Sequence, residues 1–333
     1  MPMARAKKPK SAFGKLRDRP RRATEYEELI FGLYWTPPYY MPLWSEDSTR
    51  VRVESWQDFR DPAAFSYHTY VLRRAQDAER IRGCLDTMNQ PDLFQQTASP
   101  WIDELNGFYP ALRYYESAGC MAFHDVKSSA LGEYVSHAFS LQGFDEFGHV
   151  CHNVDLCRFY RQHFGGFDRA AAIWDEAPDV QPLRRLVEDL MVIEDWAEAI
   201  VAFDFVLEQV MEPIYLVEWP RLGLRCGDPV LWSVSQVMWA QESYHADLAR
   251  AFVKYVLDAH AENRSLVQTW VDRWFPRATE ATSRLFGPAF DRLEESTGIP
   301  FETVWTDRLK AIETTYAELS LEIPSTSSVG RSV

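Results

Sequence analysis

The segment PLRRLVEDLMVIEDWAEAIVAFDFVLEQVMEPIYLVEWP, residues 182–220, gives the clearest indication of the fold class of this chain. Its apolar residues recur at intervals of three and four, as in Leu183, Leu186 and Leu190. This period places apolar side chains on one face of an α-helix, whereas a strand would alternate every second residue. The segment therefore predicts one amphipathic helix of unusual length.

Helical patterning continues on both sides of this segment, from about Ser66 to about Ser320. Residues 229–260 repeat the same period, and residues 110–165 are long enough for two antiparallel helices. No stretch of comparable length alternates in the manner of a strand. Signals that end or begin helices stand at Pro100, Pro110, Gly165–Gly166, Gly223–Gly227 and Asp228–Pro229. An all-α fold is therefore predicted.

The chain divides into four parts by composition. Residues 1–22 are predicted to be a basic, disordered tail, either a solvated arm or a docking arm for an acidic partner. Residues 23–65 are rich in Pro, Trp and Tyr and predict an extended N-terminal arm that packs against other parts of the protein. Residues 66–320 predict a single helical domain, and residues 321–333 predict a flexible C-terminal tail.

Composition and charge argue against several classes of function. Of 333 residues, 46% are hydrophobic and 14% aromatic, which is enough for a large packed core. The net charge of -14 argues against a nucleic-acid partner, because phosphate binding needs clustered Lys and Arg. The sequence shows neither a membrane-spanning run nor a signal-peptide core. Five cysteines without CxxC spacing suit free, reduced thiols, so a cytoplasmic protein is expected.

Two copies of the motif Glu-x-x-His are the first indication of chemistry: Glu146–His149 and Glu242–His245. Three residues advance about 300° around a helix, so the carboxylate and imidazole of each pair project from nearly the same face. Such a pair can hold one metal ion. Sites with many carboxylates and one histidine per metal suit iron or manganese better than zinc.

Each motif has a third carboxylate at a sequence distance that suits the partner helix of a hairpin. Glu116 precedes the first motif by 30 residues, and Glu208 precedes the second by 34. Both stand among apolar and aromatic residues, where a charged group is costly unless it is paired or binds a metal. We therefore expect both carboxylates to face the same centre as the two motifs.

The predicted ligand set consists of four glutamates and two histidines from four helices: Glu116, Glu146, His149, Glu208, Glu242 and His245. This arrangement is typical of ferritin-like dinuclear carboxylate proteins. It predicts a ferritin-like four-helix bundle with additional helices, holding two iron ions, with manganese in one position as the alternative. Four carboxylates with two neutral imidazoles balance the charge of a diferrous pair, which suits an apolar surrounding.

The order and intervals of these residues resemble those of the soluble bacterial multicomponent monooxygenases, which hydroxylate methane, phenol, toluene and alkenes. The catalytic α subunits of that family carry Glu, Glu-x-x-His, Glu and Glu-x-x-His in this order. The resemblance implies a ribonucleotide-reductase-like fold and a di-iron centre that activates O₂. It also implies hydroxylation or epoxidation of a small organic substrate, a separate reductase, a small effector protein and a homo- or hetero-oligomeric assembly.

Two residues beside the motifs are expected to orient the ligand histidines. Family members often have Asp before the first motif, and Asp145 matches this pattern. Gln241 stands at the corresponding place before the second motif, where an amide gives weaker support than a carboxylate. Asn153 stands where ribonucleotide-reductase small subunits usually place a radical tyrosine, which argues against a radical generator.

Glu212 lies four residues after Glu208 and is predicted to point into the same cavity. It would act there as an extra metal ligand or as a proton relay. The family's α subunits usually carry a small hydroxyl residue at this place. A glutamate turned to solvent, where Pro213 disturbs the helix, is the alternative.

Several flanking stretches resemble the family's β subunit, which has the same fold and normally lacks the iron ligands. They are WQDFRDP (residues 56–62), YHTY (67–70), DWAEAIVA (195–202) and WVDRW (270–274). The chain is also shorter than the usual α subunit. A non-catalytic structural subunit of the β type is therefore the alternative function, while retention of all six ligands favours an oxygenase component.

Overall fold

The computed structural model describes residues 22, 24 and 46–324. The tail predicted for residues 1–22, apart from Arg22, lies outside the described residues. So do most of residues 23–45 of the predicted arm and residues 325–333 of the predicted C-terminal tail. The described part contains ten α-helices, four short 3-10 turns and no strand, so the prediction of an all-α fold is confirmed.

The helices in chain order are α1 (Tyr67–Met88), α2 (Ser99–Phe108), α3 (Leu112–Ser129), α4 (Glu133–Phe164), α5 (Ala170–Glu176), α6 (Gln181–Leu190), α7 (residues 196–225), α8 (Pro229–Ala259), α9 (Ala261–Thr297) and α10 (Phe301–Glu318). The 3-10 turns are Glu46–Ser48, Trp56–Asp58, Pro91–Phe94 and Tyr109–Ala111.

Most helix ends lie where the sequence places them. Ser66 caps α1 through a capping box, in which its hydroxyl accepts the backbone N–H of Thr69. Gly165 ends α4 with a φ of 74°, a left-handed value that costs glycine little. Asp228 caps α8 by accepting the backbone N–H groups of Val230 and Leu231. The predicted helix starts at Ser66 and Asp228 and the end at Gly165 are therefore confirmed.

The segment of residues 182–220 differs from the prediction of one continuous helix. Helix α6 ends at Leu190, and α7 begins at Trp196 after five residues of turn and loop. The side chain of Asp195 accepts the backbone N–H groups of Ala197 and Glu198, so it begins a new helix. The apolar period continues across the break because α6 and α7 both pack against α3 and α9.

Helix α7 is continuous but irregular. It consists of Trp196–Ile200, Gln209–Pro213 and Trp219–Arg225 in α conformation, with π-helical turns over Val201–Glu208 and Ile214–Glu218 between them. Every residue of the first π-helical segment is buried. Because π-helical turns inside α-helices frequently accompany functional sites, α7 is a candidate for such a role.

Two helical hairpins form the centre of the molecule. The α3–α4 hairpin packs beside the α7–α8 hairpin, α1 covers α8, and α9 lies along α6 and α7. Large aromatic side chains fill the interior, and five tryptophans are at most 1% exposed: Trp101, Trp196, Trp219, Trp270 and Trp274. Because buried aromatic rings contribute much of the hydrophobic stabilisation, this packing makes a rigid frame for groups placed at its centre.

The described chain ends pack against the bundle. Trp56 contacts Trp196 edge to face and stacks on Phe252, so residues 46–65 lie against the core. At the other end, the side chain of Gln268 makes two hydrogen bonds with the backbone of Glu322. Residues 321–324 therefore follow α9 over its surface, although the sequence assigns them to a flexible tail.

Candidate metal centre

The six predicted ligands project from four helices into the middle of the bundle. They are Glu116 on α3, Glu146 and His149 on α4, Glu208 on α7, and Glu242 and His245 on α8. None of them is more than 4% exposed. The two hairpins thus bring together residues that are up to 129 positions apart in the sequence.

The ligand atoms form two groups, within each of which they lie no more than 4.8 Å apart. One group is Glu146, Glu208, Glu242 and His245, and the other is Glu116, Glu146 and His149. Glu146 belongs to both. In addition, Oε1 of Glu242 lies 3.2 Å from Nδ1 of His149 and 3.2 Å from Nδ1 of His245. The arrangement suits two metal positions with Glu146 and Glu242 between them.

Both histidines present Nδ1 to the carboxylates and use Nε2 for a hydrogen bond on the outer side. Nε2 of His149 lies 2.8 Å from Oε1 of Gln241, and Nε2 of His245 lies 3.1 Å from Oδ2 of Asp145. Each partner atom is an acceptor, so Nε2 of each imidazole carries a proton and Nδ1 is the nitrogen that faces the carboxylates. A metal bound at Nδ1 requires this orientation of the ring.

Asp77 on α1 fixes the orientation of the Gln241 amide. The amide Nε2 of Gln241 donates to Oδ2 of Asp77 at 3.2 Å, while its oxygen faces His149. A carboxylate only accepts hydrogen bonds, so the opposite orientation of the amide would place two acceptors together. Asp77 therefore determines indirectly which nitrogen of His149 carries the proton.

Asp145 is held by two residues besides His245, through three hydrogen bonds. The hydroxyl of Tyr70 donates to Oδ1 at 2.6 Å, and the guanidinium of Arg74 donates to both carboxylate oxygens. Burial alone would raise the pKa of Asp145, but hydrogen bonds from His245 and Arg74 outweigh it and lower that pKa below its usual value. Asp145 therefore stays ionised beside the imidazole that it orients.

The inward-facing atoms of the centre lack hydrogen-bond partners among the described residues. They are Oε1 of Glu116, Glu146 and Glu208 and Nδ1 of His149 and His245. Buried polar atoms in native proteins are almost always satisfied, so five such atoms at one point indicate a place for a partner from outside the described residues. Carboxylate oxygens and imidazole lone pairs converging without donors are a fitting donor set for metal cations.

The electrostatics of the cluster also indicate a deficit of positive charge. Burial and repulsion from neighbouring carboxylates raise the pKa of Glu208 well above its usual value. Burial and the charge of Glu242 raise the pKa of Glu146 to about 8. Cations between these groups would remove the repulsion and stabilise the ionised forms.

Two further buried acids stand on α7, one turn before and one turn after Glu208. Asp204 is completely buried, and Glu212 is 4% exposed. The hydroxyl of Tyr115 donates to Oε1 of Glu212 at 2.7 Å, while Oε2 has no hydrogen-bond partner among the described residues. The alternative that Glu212 turns to solvent is therefore wrong. Neither acid belongs to the two ligand groups.

A cavity of about 310 Å³ extends from the outside of the bundle to this centre. Its inner end is formed by Glu208, Glu212 and Glu242, and its outer part lies between α8 and α10. The volume is within the range of small-molecule pockets. A small molecule that enters it would reach the carboxylates of the candidate centre directly.

The sequence interpretation missed the contribution of α1. Tyr70, Arg74 and Asp77 lie on one face of this helix at spacings of four and three, and all three support the ligand histidines. Their spacing was visible, but nothing local indicated which helix this polar face would meet. Asp204 was also missed, although a carboxylate at the midpoint of the apolar stretch VAFDFVL is the signal that could have revealed it.

A sequence profile of the family described as Methane/Phenol/Alkene Hydroxylase matches residues 35–260. The chain is 28% identical to the oxygenase component DmpL of phenol 2-monooxygenase from Pseudomonas sp. strain CF600, over 83% of this chain and 84% of that protein. It is 22% identical to the hydroxylase component subunit beta of the toluene-4-monooxygenase system from Ectopseudomonas mendocina, over 83% and 89% of the two proteins.

A solved structure of phenol hydroxylase from Pseudomonas sp. OX1 superimposes on the described fold with a TM-score of 0.77. It covers 97% of this chain and 99% of that chain at 22% sequence identity, so the likeness concerns the fold alone. The predicted ferritin-like helical architecture is thereby confirmed. Among the described residues, no helix combines the length and apolar character needed to span a membrane.

Proposed function

Since the chain belongs to the Methane/Phenol/Alkene Hydroxylase family, we propose that it is a di-iron, O₂-activating oxygenase component. It would insert oxygen into a small organic substrate, aromatic or hydrocarbon in character. The observation that carries this proposal is the convergence of six ligand groups, five of which have a buried atom without a hydrogen-bond partner among the described residues. A structural subunit has no physical reason to keep so many costly groups at one buried point.

Metal binding and the orientation of the histidines would fall to different residues. Glu116, Glu146, His149, Glu208, Glu242 and His245 would hold two iron ions, with manganese in one position as the alternative. A bound pair of iron ions supplies the electrons that activate O₂. Asp145 and Gln241 would accept a hydrogen bond from Nε2 of each histidine and so hold Nδ1 toward the metal positions.

Glu212 has a role of its own in this proposal. It lines the cavity together with Glu208 and Glu242 and holds a hydrogen bond from Tyr115. It would carry a proton at Oε2 toward the centre, because that oxygen lacks a hydrogen-bond partner among the described residues. An additional metal ligand is the alternative role.

Other components would complete the reaction. The relatives named above are components or subunits of monooxygenases. We infer that this chain also works in a homo- or hetero-oligomer, with electrons from a separate reductase and with a small effector protein. Its substrates would be O₂ and the small organic molecule, and its place in the cell the cytoplasm.

A non-catalytic subunit of the β type is the second candidate function. The specific observation in its favour is the similarity to a hydroxylase subunit named beta, which extends over 83% of this chain. In that case the chain would help to assemble a hydroxylase whose chemistry takes place in another subunit.

Metal analysis of the full chain tests the two functions against each other. The protein would be purified, loaded with Fe(II) without oxygen, freed of excess metal and then exposed to O₂. The oxygenase proposal expects about two irons per chain and O₂ consumption that follows the iron content. Glu242→Ala combined with His245→Ala should abolish both. A protein that retains no iron, or whose iron does not react with O₂, would support the structural subunit.

A further inference from the structure

Arg308 on α10 lines the cavity that leads to the candidate metal centre. Its Nε–H is buried and makes no hydrogen bond with any described residue. Burial lowers the pKa of Arg308 to about 10, and the charged neighbour that adds to this effect is another cation, Arg250. The Nε edge of the guanidinium is thus withdrawn from water, and no carboxylate pairs with Arg308 in the part of the chain that the structure describes.

The opposite wall of the cavity does not supply the missing anion. Arg250 on α8 lines the same cavity, and its guanidinium already pairs with Asp247 at 2.7 Å. The remaining acids of the lining, Glu208, Glu212 and Glu242, are at the inner end. Two of them are proposed metal ligands. The outer part of the cavity therefore has an excess of positive charge, at Arg308.

A partly buried guanidinium without a counter-ion has lost part of its hydration, and a carboxylate is the group that satisfies it best. The planar fork of arginine matches the two oxygens of a carboxylate in a bidentate pair. Pro213, Trp239 and Ala246 contribute apolar surface to the walls, beside the polar side chains of Gln209, Ser243 and Thr315. A ligand with a carboxylate at one end and an apolar body would satisfy both parts.

We propose that this cavity binds a small organic substrate that carries a carboxylate. The carboxylate would pair with Arg308, and the apolar body would extend toward Glu208 and Glu242. This inference rests on the proposed oxygenase function and specifies its substrate class as organic acids rather than neutral hydrocarbons or phenols.

Calorimetric titration with benzoate and benzamide tests the inference. The two probes have nearly the same shape and differ in charge, so the comparison isolates the contribution of the carboxylate. We expect benzoate to bind the iron-loaded full chain at least about 10-fold more tightly than benzamide. Arg308→Gln should weaken benzoate binding by roughly 10- to 100-fold and leave benzamide binding unchanged. Arg308→Lys, which keeps the charge and loses the fork, should fall between the two.

Lys310→Gln is the matched control, because Lys310 is exposed on the same helix and the substitution removes the same charge. It should leave benzoate binding unchanged. Equal binding of benzoate and benzamide by the wild-type chain would overturn the inference, and that comparison does not depend on whether any variant folds. Tighter binding of inorganic phosphate than of benzoate would also overturn it, because the site would then be a simple anion site.

Repeating the titration on metal-free protein separates this inference from the proposed function. The chain could fail to retain iron and still bind benzoate more tightly than benzamide through Arg308. This result would contradict the oxygenase function and support the carboxylate site. A chain that holds two irons and reacts with O₂, but does not distinguish the probes, would contradict the carboxylate site alone. Because benzoate could bind iron directly, the Arg308-dependent part of the preference is the decisive quantity.

Discussion

Gln241 can support His149 only in one of its two amide orientations, and Asp77 selects that orientation. In this orientation the Gln241 amide acts on His149 as the Asp145 carboxylate acts on His245, because each presents an oxygen to Nε2 of the histidine. An amide is expected to orient a histidine less firmly than a carboxylate does. Asp77 compensates for this by fixing the Gln241 amide, although it contacts neither histidine. The two halves of the centre therefore reach the same tautomer by different hydrogen bonds.

Replacing Asp77 with asparagine should weaken the metal centre without removing any ligand. Asparagine can donate as well as accept, so the Gln241 amide is no longer forced to turn its oxygen toward His149. Loss of such outer support typically costs 10- to 100-fold in metal affinity, and we expect an effect of about that size on Fe(II) binding. Competition with a chelator of known affinity measures it. Asp86→Asn, an exposed change on the same helix, is the control. Equal Fe(II) affinities of D77N and wild type would contradict the role of Asp77.

Replacing Glu212 with glutamine should separate metal binding from turnover. Glu212 lies outside both ligand groups, so the chain should still bind about two irons. Glutamine keeps the hydrogen bond from Tyr115 but cannot exchange a proton, so O₂-dependent turnover should fall by about 100-fold or more. Iron analysis and oxygen-electrode rates measure the two quantities. Loss of one iron per chain from E212Q would instead identify Glu212 as a ligand.

The ligand residues were predictable because helix geometry is local, and the outer hydrogen bonds were not, because they depend on tertiary packing. Glu146 and His149 must share a helix face whatever surrounds them. Arg74 and Asp145, in contrast, are 71 residues apart, and their contact depends on how α1 lies across the bundle. Nothing in the sequence near either residue specifies that crossing.

At the scale of elements, capping residues determine where the helices that carry the ligands begin. The break between α6 and α7 at Asp195 shows that a capping side chain can divide a stretch whose apolar period is uninterrupted. The spacing of apolar residues records only which residues are buried. Because α6 and α7 both pack against α3 and α9, this spacing continues across the break and cannot reveal it. The start of α8 at Asp228 was predictable, because a cap followed by proline is a strong local signal.

Asp228 should be one of the most sensitive positions for stability outside the metal centre. Its carboxylate caps α8 and also accepts from Nε1 of Trp101 at 2.9 Å and from the hydroxyl of Tyr160 at 2.8 Å. Asp228→Ala removes the cap and leaves two buried donors unsatisfied, so the free energy of unfolding should fall by roughly 3–5 kcal/mol. Urea unfolding measures the loss. Ser66→Ala, a cap without buried partners, should cost only about 1 kcal/mol. Similar losses in the two variants would contradict the importance of the Trp101 and Tyr160 bonds.

At the scale of the whole molecule, the centre couples two hairpins that are also joined by hydrophobic packing and by buried hydrogen bonds such as that from Tyr115 to Glu212. Helices α3 and α4 supply one half of the ligands, and α7 and α8 supply the other half. Without cations, the buried carboxylates repel each other across the interface between the hairpins. The packed interior holds the ligand residues in place. Without metal, the repulsion between the buried carboxylates therefore destabilises this same part of the fold.

Bound metal should consequently raise the free energy of unfolding of the entire fold. Removal of the metal should destabilise the two hairpins most. Free Fe(II) at about 100 times its dissociation constant would add about 2.7 kcal/mol to the free energy of unfolding, which for a chain of this size raises Tm by about 4 °C. Anaerobic calorimetry with and without a chelator measures the shift. His245→Ala should abolish it, whereas His68→Ala, at an exposed position on α1, should not. Amide exchange should slow most on metal binding in α3, α4, α7 and α8, and least in α10, which carries no proposed ligand. A Tm that Fe(II) does not move would mean that the six groups do not act together as one metal centre.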